Sequence, residues 1–115
     1  MTLPLAGPTA PSAIDEVGIE LATVARRWLE ARATSAVVRG ALEADTEGLP
    51  PFWDELVGLG WIGRAVPVAA GGQGASLAEL AGVVEEWGRA VAPGPFPTTA
   101  AVATVLGRFA PALAT

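Results

Sequence analysis

Cysteine, histidine, lysine and tyrosine are all absent from the 115 residues. Without cysteine there is no disulfide framework and no thiolate chemistry, which agrees with a cytoplasmic protein. Missing cysteine and histidine together exclude a zinc site of the Cys/His type. Missing histidine excludes a Ser-His-Asp triad, and missing lysine excludes a Schiff base and a P-loop. No catalytic, cofactor-binding or metal-binding residue is expected on this chain.

Positive charge is scarce as well. Seven arginines, scattered singly or in pairs, face twelve acids for a net charge of −5, so no basic stripe exists to follow a phosphate backbone and nucleic acid is excluded as a partner. The most continuous apolar stretch, Ala100 to Leu106, falls well short of the ~20 residues that span a bilayer. The opening MTLPLAGPTAPS has no positive charge ahead of an apolar run and three prolines. It reads as a flexible lead-in over residues 1–11 and not as a signal peptide.

Apolar residues, by contrast, make up 51% of the chain and include four tryptophans. The length suits one domain of the usual ~100–150 residues, too small to hide that much apolar surface, so an exposed contact patch is expected. An all-α bundle of about four to five helices over residues 12–115 accounts for the pattern. Ser12 and Asp15 have capping-box spacing, placing a helix start near Ala13. Ile14, Val17, Leu21, Val24 and Trp28 then recur on one face up to a break at Gly40, with a polar connection from Ala41 to Gly48. Such a stripe is what core burial requires.

Pro50 and Pro51 open a second helix with Phe52, Trp53, Leu56 and Leu59 on its apolar face and Gly60 at its left-handed end. Trp61 to Val66 reads as extended, and Pro67 with Gly71, Gly72 and Gly74 must reverse the chain; Gly74 is expected to need positive φ. Gly72 to Leu77 half resembles a dinucleotide fingerprint, but Leu77 stands where a third small residue is needed and no acid follows at ribose distance. A tight turn feeding a helix is the better account: Ser76 and Glu79 form a capping box, followed by Leu77, Leu80, Val84, Trp87 and Val91 at helical spacing. Glu85 and Glu86 point about 100° apart, so they cannot share one substrate bond and read as surface or interface charges, Glu85 paired with Arg89. Pro93, Gly94, Pro95 and Pro97 make a stiff turn around Phe96. Thr98 or Thr99 then caps a last helix with Val102, Leu106, Phe109 and Leu113 on its stripe.

In order, WDELVGLGW, IGRAVP, GGQG, SLAELAGVVEEWGRA and PGPFPTT resemble the N-terminal helical domain of the FAD-dependent acyl-CoA dehydrogenases. The likeness covers about Leu49 to Phe109, with Ser12 to Arg39 compatible as the leading helix. It implies an enzyme that removes the α and β hydrogens of an acyl-CoA thioester, a Glu base taking the proton and flavin N5 the hydride. In that family the flavin lies mainly between a β-domain and a second helical bundle, and the base comes from the latter. This chain would thus be a fragment or a separately encoded lobe, binding no FAD alone. Its partners would be the remaining domains or subunits in a homo- or hetero-oligomer, the acyl-CoA substrate and an electron-transfer flavoprotein. The resemblance places Pro95, Phe96, Thr98, Thr99 and Val102 near the acyl tail; a rigid connection with a helix cap and core contacts suits the same residues. Two alternatives stay open: a lobe of a related acyl-CoA oxidase or flavin monooxygenase, and a non-catalytic helical interaction module.

Overall fold

A computed structural model describes residues 16–110. The lead-in over residues 1–11, the helix start near Ala13, Ile14 and Leu113 lie outside these residues. Among the described residues there are five α-helices and no strand: α1 (Glu16–Arg32), α2 (Ser35–Glu43), α3 (Trp53–Leu59), α4 (Leu77–Arg89) and α5 (Phe96–Phe109), with a single 3₁₀ turn at Val68–Ala70. None is long and apolar enough to cross a membrane.

The first helix is shorter than its apolar periodicity predicts. Thr34 has extended backbone and its hydroxyl accepts from the Val37 N–H, so a new helix is capped there and Gly40 lies inside α2. The buried face of α1 is also turned by one residue: Gly18, Ala25 and Leu29 are buried, while Val17 and Val24 are half exposed. Small residues explain the turn. A Cβ placed on Gly82 would sit 3.8 Å from the Ala22 methyl, and Arg26 meets Glu86 four residues further along both helices. The two helices thus run in the same direction and approach closely through their small side chains.

Pro50 accepts from the Trp53 N–H at the start of α3, and Gly60 closes its end at φ 79°. Trp61 to Val66 is not extended: Arg64 N–H donates to Trp61 O and Val66 N–H to Gly63 O, making successive turns. The core gathers Leu29, Phe52, Leu56, Trp61, Val83, Trp87 and Phe96. Aromatic contacts run through it from Trp61 to Trp28 (5.4 Å), Phe52 (5.4 Å) and Trp87 (5.9 Å), all edge-on, and on to Phe96 (4.9 Å) with the rings tilted. Each such pair adds about 0.5–1.5 kcal/mol beyond burial, so this chain of rings joins α1, α3, α4 and the start of α5. Val83 takes the core place that periodicity gave to Leu77 and Val91, both of which are exposed.

Candidate functional site

The Gly-rich turn is held by its own hydrogen bonds. Gln73 N–H donates to Gly63 O, Gly74 N–H to Val66 O and Ala75 N–H to Arg64 O, at 2.8–3.1 Å. Ser76 N–H donates to Glu79 Oε2 and Glu79 N–H to Ser76 Oγ, completing the capping box. Arg64 reaches Gln73 Oε1 at 2.7 Å and Glu79 Oε1 at 3.2 Å, and Gln73 Nε2 donates to Gly60 O. Every backbone N–H from Ala70 to Ser76 therefore has a partner within the chain. A phosphate cradle needs free N–H groups, and this turn offers none. Gly71 and Gly74 carry positive φ, as a reversal requires.

The second turn is made differently. α4 ends with Val91 N–H on Gly88 O and Ala92 N–H on Trp87 O, the paired bonds of a Schellman ending, in which glycine usually holds the left-handed position. Here Val91 holds it, at φ 53°. Gly94 follows at φ 108°, where a Cβ would press on Pro50 at 2.8 Å. α5 then starts at Phe96 with Pro97 in its first turn and no side-chain cap, so Thr98 and Thr99 lie inside the helix and cap nothing. Proline needs no acceptor for a missing N–H, which lets the helix begin earlier than a Thr cap would.

The residues assigned to the acyl tail spread over this corner. Pro95 is exposed and lines an open groove of about 940 Å³ between α2 and the proline turn, with Val37, Ala41, Leu49, Pro50 and Pro93. Phe96 is fully buried against Trp87. Thr98 and Val102 are exposed and Thr99 is half-buried. Thr98 and Val102 share one face of α5 with Val105 and Phe109, the last 82% exposed, whereas the opposite face buries Phe96, Ala100, Thr104 and Gly107. The stripe expected at Val102, Leu106 and Phe109 is therefore mostly outward, with only Leu106 half-buried.

Glu85 is exposed and paired with Arg89 at 3.3 Å. Glu86 departs from its reading as a surface or interface charge, being buried between α4 and α1. It is 5% exposed, and both its oxygens accept from Arg26 at 3.0 and 3.1 Å while Arg89 approaches to 3.2 Å. The Arg26 hydrogen bonds hold its carboxyl below the usual range, against the opposing pull of burial. A second fork joins Arg32 to Glu55 at 2.7 and 2.8 Å on the surface, where Trp28 Nε1 also donates to Glu55. Among the described residues no group of three or more His, Cys, Asp or Glu could hold a metal.

Fold and site together define an all-α domain with exposed apolar side chains along the outer face of α5. The chain matches the acyl-CoA dehydrogenase N-terminal domain over residues 17–112, and it belongs to that family. It is similar to acyl-CoA dehydrogenase FadE34 of Mycobacterium tuberculosis, 37% identical over 89 residues covering 70% of this chain and 12% of that protein. The chain thus spans about an eighth of that relative's length. No solved structure matches it. The family is generally FAD-dependent. The committed N–H groups of the Gly-rich turn do not fit a flavin pyrophosphate.

Proposed function

We propose that this chain is the N-terminal helical lobe of a flavin-dependent acyl-CoA dehydrogenase, supplying part of the acyl-pocket wall and a packing face. The complete enzyme would remove the α and β hydrogens of an acyl-CoA thioester, with FAD and the catalytic base on domains outside this chain. The observation that carries this is the family match, taken together with an α5 whose outer face, from Thr98 to Phe109, is uncovered. Pro95, Thr98, Thr99 and Val102 offer apolar and neutral surface there, as an acyl tail requires. Phe96 would support this wall from within the core. We place the protein in the cytoplasm, in keeping with its lack of cysteine.

The test is to assemble the chain with the remaining domains of an acyl-CoA dehydrogenase and follow flavin bleaching on adding acyl-CoA, with mass detection of the enoyl product. Electron transfer to an electron-transfer flavoprotein, and not to oxygen, separates a dehydrogenase from an oxidase. Val102→Glu should raise KM about tenfold or more by setting a charge against the tail. An assembly that holds FAD but oxidises no acyl-CoA overturns the proposal. Micromolar FAD binding by the 115 residues alone, measured by calorimetry, overturns the lobe assignment.

A further inference from the structure

We propose that Glu86 is a positioning residue: by holding Arg26 of α1 and Arg89 of its own helix, it fixes where α5 begins and so shapes the wall formed by Pro95, Thr98, Thr99 and Val102. The consequence for the wall rests on the function proposed above, whereas the mechanical coupling stands on geometry alone. A buried carboxylate adds no stability that a well-packed apolar residue of similar volume could not supply. What it adds is direction, because a two-point fork to a guanidinium admits one orientation. Arg26 makes such a fork, with Nε and Nη2 on the two Glu86 oxygens. Helix α4 is therefore locked in rotation and register against α1 at this residue.

From Glu86 the constraint passes along a short path. Its carbonyl accepts from the Ala90 N–H at 3.0 Å, and the carbonyl of Trp87, the next residue, accepts from Ala92 N–H at 3.1 Å. The Trp87 ring lies 4.9 Å from Phe96, the first residue of α5, and Thr99 N–H donates to Pro95 O at 2.9 Å. α5 has no side-chain cap of its own, so its start depends on this contact and on the proline turn. The charged groups around the pair are Glu30 on α1 and Glu85 and Arg89 on α4.

Amide hydrogen exchange, read by NMR on the full 115-residue chain, tests the coupling. In Glu86→Gln, exchange at Ala92 and Thr99 should accelerate about tenfold or more beyond any acceleration at Gly74 and Ala75 in the Gly-rich turn, which shares only the loss of overall stability. Arg26→Lys, which keeps the charge and removes the fork, should give the same pattern at smaller amplitude, and it decides the matter alone if Glu86→Gln does not fold. Equal acceleration at all four amides would reduce Glu86 to a general stabiliser and overturn the proposal; no acceleration at Ala92 and Thr99 would also overturn it. If the assembled enzyme oxidised no acyl-CoA, the functional reading would fall, yet the exchange pattern would still show whether Glu86 sets the start of α5.

Discussion

The two turns that flank α4 are built on opposite terms. From Ala70 to Ser76 the backbone donors are consumed internally, and Arg64, Gln73 and Glu79 tie the loop to the N-terminus of α4. From Val91 to Pro95 the chain has two prolines without an N–H, a valine in a left-handed conformation and a helix start with no side-chain cap. The segment that most resembles a ligand-binding fingerprint is thus used up in folding. The segment with few donors leads instead into α5, whose outer face leaves Val102, Val105 and Phe109 exposed. A glycine-rich sequence signals backbone freedom, and only the partners of its N–H groups decide whether a ligand can use it.

The strongest way to break this contrast is at Gly72. A methyl group there would collide with the carbonyl and side chain of Val66. Backbone cannot step aside as a flexible side chain does, so Gly72→Ala should cost about 3 kcal/mol in urea unfolding. Unchanged stability would mean that the turn is not closed tightly against Val66, and the first half of the contrast would fail.

Local chemistry was the legible part of the sequence. The Ser76–Glu79 box and the Gly60 ending stand where residue types with fixed backbone preferences put them, whereas Pro50 and Pro51 precede α3, which is capped at Phe52 and starts at Trp53. Faces were less legible, because periodicity weighs large residues and α1 packs through Gly18, Ala22 and Ala25. The Thr34 cap could have been found from its hydroxyl ahead of a helical run, but the apolar spacing continues through it and hides the break. Glu86 could not be found locally: its partner Arg26 lies 60 residues away on another helix. For the candidate site the family resemblance pointed to the corner around Pro95. It could not say that Phe96 points into the core while Val102 points out, since both are apolar and only the tertiary packing separates them.

A smaller effect is expected at the charged seam that precedes the proline turn. Glu86 is held below its ordinary value of 4.5, first by the Arg26 hydrogen bonds. Its stabilisation is therefore complete above about pH 4.5, the unfolded value, and is lost as the pH falls through the lower folded value. Glu86→Gln should cost about 1–2 kcal/mol at neutral pH, moderated by the half-exposed Arg26, and less in acid. Thermal melts of both proteins from neutral pH down to pH 3 would show the difference narrowing. A gap that stayed constant with pH would mean that packing, and not charge, holds α1 to α4.

The smallest expected effect has the opposite sign and probes the proline turn itself. Val91 sits at φ 53° with its side chain 66% exposed, so burial within this chain does little to offset the strain of a β-branched residue there. Val91→Gly keeps the hydrogen bonds of the α4 ending and removes the clash between Cβ and backbone, while loosening the unfolded chain. The balance should favour the variant by about 0.5–1 kcal/mol, seen as a higher melting temperature of the isolated chain. The same residue faces outward beside the turn that leads to the proposed acyl-tail corner. A melting temperature that fell instead would mean that contacts within the chain already outweigh the strain, and the proline turn would then be as self-contained as the glycine turn.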